Sequence, residues 1–256
     1  MHNRKFQSAW FLLAIIGLWE GVCRAFSISK LILPAPSAIA VRLEDLFVTG
    51  TIWPHFVATL TSITAGLTLG AVAAVLVGSA ISLVPTLERL IYPYLMALQS
   101  VPKIAIAPLF IIWFGYGITS KIVVAGLMCF FPVLVAVVVG FHAVDPDRLD
   151  MMHSFGATRA QVLLRLRIPG ALTMIFAGLE IATGLAVIGA VVGEFVGAQA
   201  GLGYLITVLN FNLDVAGVFA VLVLLSAIGM TLHALVRIAN NRLVFWQPRE
   251  TVRLLS

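Results

Sequence analysis

Asp145-Pro-Asp-Arg-Leu-Asp-Met-Met-His-Ser-Phe-Gly156, continued by Ala157-Thr-Arg-Ala-Gln-Val-Leu-Leu-Arg-Leu-Arg-Ile-Pro169, is a polar, basic stretch between two long apolar runs, 119–142 and 171–195. Asp145 is a good N-cap, and Pro146 follows at the first helical position, where its missing N–H costs nothing. Gly156 suits a left-handed helix end. Thr158 and Gln161 have capping-box spacing, and Pro169 is expected to stop the second helix at about Ile168. Two short, capped helices bent at a glycine are therefore expected in water, with the apolar runs on either side in a different solvent.

The composition says which solvent. Of the 256 residues, 61% are hydrophobic and 11% charged, and the mean hydropathy is +1.08. A soluble domain carries about 25% charged residues, so this chain cannot cover a water-facing surface. Its apolar runs are long and continuous, as in membrane helices, and lack the alternation of barrel strands. The expected fold is an all-α integral membrane protein in one domain spanning 1–256. Six spans are expected at about 8–26, 57–84, 90–113, 119–142, 171–195 and 215–237, each close to or above the ~20 residues that cross hydrocarbon. The polar loop 143–170 then lies between spans four and five. Span five is the one left open to a break before it crosses fully, because Gly184, Gly189, Gly193 and Gly197 interrupt it.

Charge sets the orientation. With six spans, one side carries Arg4, Lys5, Arg89, Arg148, Arg159, Arg165, Arg167, Arg237, Arg242, Arg249 and Arg253. The other side carries Arg24, Lys30, Arg42 and Lys121. Basic excess marks the cytoplasmic face, so both termini are expected inside. The same asymmetry accounts for the net charge of +5 without nucleic acid. Cys23 and Cys129 read as buried hydrophobes. The five histidines show no metal-ligand spacing, and no metal site is expected.

The polar loop also resembles a known motif. Permeases of ABC importers carry Glu-Ala-Ala, three residues, Gly, nine residues, Ile, one residue, Leu-Pro. Here Asp150-Met151-Met152, Gly156, Leu166, Ile168 and Pro169 stand at that spacing, with Ala157 after the glycine. Only the acidic position of the Glu-Ala-Ala triplet is kept. The resemblance covers about 33–237 and is to the branch importing nitrate, sulfonates, taurine, bicarbonate or pyrimidine precursors. It is carried further by Leu33-Pro-Ala-Pro-Ser37, by His55, Thr59, Gly66, Gly70 and Gly78, and by Val101-Pro-Lys-Ile-Ala105 with Pro108 and Trp113-Phe-Gly115. Gly193-Glu-Phe195 with Gly201-Leu-Gly-Tyr204 completes it. The resemblance implies a loop that docks a separate ATPase, and a complex in the bacterial inner membrane. That complex would hold two permease copies, two ATPase subunits and an external solute-binding protein. An ion-coupled transporter or channel is the rival reading. It leaves the helix pair at 145–169 unexplained.

Several residues bear on the pathway. Gly66, Gly70, Ala74 and Gly78 read as close helix packing. Pro102, Lys103 and Pro108 fall inside span three, where prolines free backbone groups that protein or water must take up. Lys103 is read either as structurally paired, with Glu180 and Glu194 as the acidic residues available, or as part of the pathway, where it would suit an anionic solute. Glu194, with Gly201 and Gly203, is read either as a gate-like segment at the outer mouth or as a helix end with a capped loop. Ser37 is expected to cap a short external helix carrying Ile39, Leu43, Leu46 and Phe47 on one face, lying at the membrane surface or contacting an external partner.

The chain is not expected to be an enzyme. Intramembrane protease signatures are missing. No lysine among Lys5, Lys30, Lys103 and Lys121 is followed by Ser or Thr, as a phosphate-binding loop requires. No cofactor is expected in this chain; ATP and magnesium would belong to the partner ATPase.

Overall fold

The computed structural model describes residues 2–246, and the secondary structure in that range is helical. The helices are α1 (His2–Ala25), α2 (Pro36–Val48), α3 (Ile52–Leu83), α4 (Pro85–Gln99), α5 (Ala107–Phe114), α6 (Ile118–His142), α7 (Pro146–Ser154), α8 (Arg159–Val162), α9 (Ile168–Gly197), α10 (Leu202–Phe211) and α11 (Val215–Leu243). Among the described residues, α3, α6, the continuous helix Arg159–Gly197 and α11 are each long and apolar enough to cross a membrane. The pair α4 and α5 qualifies together, as a broken span or a re-entrant segment. This is a multi-pass architecture. Arg249 and Arg253 lie outside the described residues.

The core is built around α6, which packs along α3 on one side and α9 on the other. Lipid tails are as apolar as the side chains, so little drives these helices together except close van der Waals contact, and small residues permit it. A Cβ on Gly70 would stand 2.4 Å from the Gly126 carbonyl oxygen, and one on Gly66 would stand 2.6 Å from the Ala125 Cβ. Between α6 and α9, a Cβ on Gly178 would meet Ala136 at 2.4 Å, and one on Gly189 the Cα of Ala125 at 2.8 Å. The expected packing role of Gly66, Gly70, Ala74 and Gly78 is what the seam between α3 and α6 shows, with all four buried.

Helix α1 stands at the periphery. Trp10, Phe11, Leu12, Leu13 and Leu18 are exposed; lower down, Trp19 meets Phe219 of α11, and Cys23 reaches the chain at Leu33. Ser37 does not cap α2, contrary to expectation. Ala35 is the N-cap, Pro36 occupies the first turn, and the Glu20 carboxylate accepts from both the Ser37 amide (2.9 Å) and hydroxyl (2.8 Å). The apolar face of α2 packs on protein, with Ile39 and Leu46 buried and Leu43 and Phe47 against the same core.

Two other expectations change, and the open question of span five is answered. The single third span is instead two helices meeting at 83°. Pro102 lacks an N–H to continue α4 and disfavours helix at Val101, and a 3-10 turn at Lys103–Ile106 leads into α5. Pro169 does not stop a helix. A π-turn at Leu163–Arg167 joins α8 to α9, and Pro169 sits in the first turn of α9 just after this widened stretch. Span five does not break, because Gly189 and Gly193 serve side-by-side packing within an unbroken α9.

Gly70→Val should be expressed but poorly folded, with an overpacking cost of about 1–3 kcal/mol or more because backbone, not a flexible side chain, is in the way. Gly17→Val, with nothing within 4 Å of its Cβ, is the control. Thermal unfolding of both variants in detergent checks the difference, and equal melting temperatures would refute the seam.

Candidate functional site

Two polar assemblies stand at opposite ends of α9. At its start is the knob formed by α7 and α8. Asp145 caps α7 by accepting from the Asp147 amide at 3.0 Å. Thr158 and Gln161 form the full capping box, with the Thr158 amide donating to the Gln161 side chain at 2.8 Å and the Gln161 amide to the Thr158 hydroxyl at 3.3 Å. Between them Gly156 adopts φ +71°, and a Cβ there would find nothing within 4 Å. That position resists side chains for backbone reasons alone. Met151 (54%) and Phe155 (83%) stand exposed on the knob. Asp150 is exposed, and Met152, Ala157, Leu166, Ile168 and Pro169 are partly buried toward the root. Phe155 was not picked out from sequence; the signal was an aromatic residue next to the bending glycine of a polar loop.

The knob is continuous with the bundle. Helix α8, the π-turn and α9 form one helix of 39 residues. Beside it, His142 at the end of α6 meets Glu88 of α4 at 3.1 Å.

At the far end of α9, a buried corner holds the second assembly. Glu194 is 2% exposed and Thr59 fully buried. The Glu194 carboxylate accepts from the Thr59 hydroxyl (2.7 Å) and from the Gly203 amide (2.7 Å). The Thr59 hydroxyl in turn accepts from the Leu202 amide at 2.6 Å. The Gly201 amide donates to His55 Nδ1 at 3.1 Å. Three successive free amides at the start of α10 are thus taken up by three side chains from α3 and α9, which is how an interior helix end avoids orphaned donors. Gly201 has φ +133°, and a Cβ there would overlap the Glu194 carboxyl carbon at 2.3 Å. A Cβ on Gly203 would stand 3.0 Å from the same carboxylate.

Lys121, counted on the outer side at the start of span four, is 3% exposed in this corner. Its ammonium donates to the carbonyls of Tyr116 and of Gly197, the latter at 2.7 Å, and so caps the end of α9. Nearby, Asp214 caps α11 by accepting from the Gly217 amide (2.8 Å) and also accepts from Arg42 Nε of α2 (2.7 Å). The sequence marked Glu194, Gly201 and Gly203 as one segment. Their partners Thr59, His55 and Lys121 lie far off in the chain, with no local signal that they meet. The geometry is that of a helix end with a capped turn, followed by the short helix α10.

The remaining candidates fall elsewhere. Lys103 pairs with neither Glu180 nor Glu194. Its ammonium donates to the Gln99 carbonyl at 2.8 Å and lies 4.8 Å from the centre of the Phe131 ring. Pro102 and Pro108 are exposed around the break between α4 and α5. Glu180 is 14 residues from Glu194 in the same helix, a separation of ~21 Å. No group of three or more metal-ligating side chains occurs among the described residues.

Glu194→Ala should strip acceptors from both Thr59 and the Gly203 amide and cost about 1–3 kcal/mol per buried donor left unpaired. Glu194→Gln keeps one accepting oxygen and should lose less. Thermal unfolding of the two variants in detergent orders them, and a Gln variant as damaged as the Ala variant would contradict the capping role.

Comparison with known proteins gives the family. Residues 66–245 match the family model for the binding-protein-dependent transport system inner membrane component. The formylaminopyrimidine transport permease protein of Halalkalibacterium halodurans is 37% identical over 240 residues, 94% of this chain and 95% of that protein. The riboflavin transport system permease protein of Chloroflexus aurantiacus is 35% identical, over 92% of this chain and 88% of its own length. The taurine transport system permease protein of Escherichia coli is 31% identical over 96% and 95% of the two chains. With 180 matched residues reaching from α3 to the end of α11, the chain belongs to the binding-protein-dependent inner membrane components, the non-catalytic permease subunits of ABC importers.

Proposed function

We propose that this permease imports a small nitrogen heterocycle of the pyrimidine-precursor or flavin type, as one of two copies in a complex with two ATPase subunits and an external binding protein. The heterocycle is favoured because the relatives named for formylaminopyrimidine and riboflavin are 37% and 35% identical, against 31% for the one named for taurine. The six spans are α1, α3, the broken pair α4 and α5, α6, α9 and α11, with both termini in the cytoplasm. Arg89, Arg148, Arg159, Arg165, Arg167 and Arg242 then gather on the cytoplasmic side, as the positive-inside rule prefers.

One observation carries the mechanism. The knob presents exposed Met151 and Phe155 and, past the bend at Gly156, its second helix α8 runs on into α9, whose far end is held in the corner at Glu194. An ATPase groove that seats Met151, Gly156 and Phe155 and moves on binding ATP would tilt α9 as a lever. Glu194, Gly201 and Gly203 would move with it, opening or closing the outer mouth. Pro102, Lys103 and Pro108 form the second flexible element, a hinge beside the pathway. ATP and magnesium remain with the ATPase.

Gly156→Val places a β-branched residue at a positive φ and should distort the knob while leaving the bundle unstrained. Uptake into proteoliposomes holding the complete complex should fall by about tenfold or more while the variant still inserts, since a displaced docking element removes most transition-state coupling. Phe155→Asp should lower recovery of the ATPase in affinity purification. Normal uptake in the first and normal recovery in the second would together remove the knob from the mechanism.

A further inference from the structure

A groove of about 360 Å³ runs between α9 and α11, and Glu180, Thr183, Gly184, Gly229 and His233 line it. Glu180 and His233 lie at matched depth. Each is ~15–18 Å from the knob-side end of its helix, by a rise of 1.5 Å per residue. Neither side chain has a hydrogen bond or ion-pair partner among the described residues. The Thr183 hydroxyl is already engaged, donating to the Glu180 carbonyl at 2.7 Å. Ionisable groups within a span are paired, or face water or a ligand, because hydrocarbon solvates them badly. This pair has no side-chain partner among the described residues and is half-buried or exposed.

The wall of the groove is open by construction. A Cβ on Gly184 would meet nothing within 4 Å, and one on Gly229 would come no nearer than 3.7 Å to Val187. These glycines therefore differ from Gly70 or Gly178, whose missing side chains are filled by a neighbouring helix. Among the described residues, no side chain fills this space. Its apolar rims, Ile181 and Met230, with two polar groups between them, have the make-up of a small-molecule surface.

We infer that this groove is a water-facing recognition surface inside the membrane for the nitrogen-bearing, neutral or cationic part of the solute. Glu180 is the hydrogen-bond acceptor, and His233 is its companion. A carboxylate only accepts, and an imidazole can donate or accept. Together they suit an amino group, an amidine or a ring N–H, and they offer a sulfonate or nitrate a like charge. Arg237 lies one helical turn beyond His233, outside the groove lining. The inference rests on the importer reading for the nature of what passes; the character of the groove is tested apart from it.

The test is thiol modification of the Gly184→Cys variant in proteoliposomes holding the complete complex, with the parent chain as the blank because Cys23 and Cys129 are buried. The probes are a cationic trimethylammonium and an anionic sulfonate methanethiosulfonate, each rate normalised to a free thiol. Both should react, the cation faster by about fivefold, as expected of one nearby negative charge in a hydrated site. Glu180→Gln should bring the ratio within about twofold of unity. An unmodified thiol at position 184, a faster anion, or a preference untouched by Glu180→Gln overturns the inference. Should Gly184→Cys fail to assemble, Ile181→Cys on the rim repeats the measurement. ATP-driven uptake on the same vesicles separates the two failures, since uptake retained with an unreactive groove leaves the importer standing without this surface.

Discussion

Close approach of α6 to α3 and α9 is the contact on which the rest of this molecule depends. In lipid, apolar side chains gain nothing by leaving one solvent for another, so helices stay together only where their backbones can nearly touch. Gly66, Gly70 and Gly126 on one seam, and Gly178 and Gly189 against Ala125 and Ala136 on the other, make that possible. With α6 packed against both, α9 runs as one unbroken helix from the π-turn to the corner. Other helices attach more lightly, and α1 does so mainly through Trp19 and the Glu20 carboxylate.

Helix ends are the second constraint. Inside a membrane protein each terminal amide and carbonyl needs a partner, and this chain supplies them with side chains from distant segments. Glu194, Thr59 and His55 close the start of α10, Lys121 closes the end of α9, and Asp214 closes the start of α11 while holding Arg42. These charges look like transport residues in a sequence, yet Glu194, Lys121 and Asp214 are each engaged by backbone, and Arg42 by a carboxylate. Glu180 and His233 are the contrasting case, ionisable, within the spans and unengaged among the described residues. That difference separates structural polar groups from candidates for solute contact.

Local signals are legible where the physics is local. The caps at Asp145 and Thr158, the left-handed Gly156 and the packing of Gly66 through Gly78 all depend on residues a turn or two apart. Pro169 departs from expectation because a π-turn next to it changes what a proline does to a helix. Ser37 departs because a carboxylate 17 residues earlier competes for it. The third span departs because hydropathy is blind to the direction of the axis, and Pro102 turns it through 83°.

By itself the sequence determined the solvent, the helical class, the polar knob between two apolar runs and the need for an ATPase elsewhere. Those follow from composition, spacing and the resemblance of the polar loop to a known motif, all properties of the chain as a string. Only the tertiary structure decided which charges are partnered. It buried Lys121 beside the Gly197 carbonyl, joined Glu194 to Thr59 across 135 residues and left Glu180 and His233 facing an open groove. Partnering in a membrane is decided by which helix faces meet, and that depends on the packing of α6 rather than on any segment taken alone.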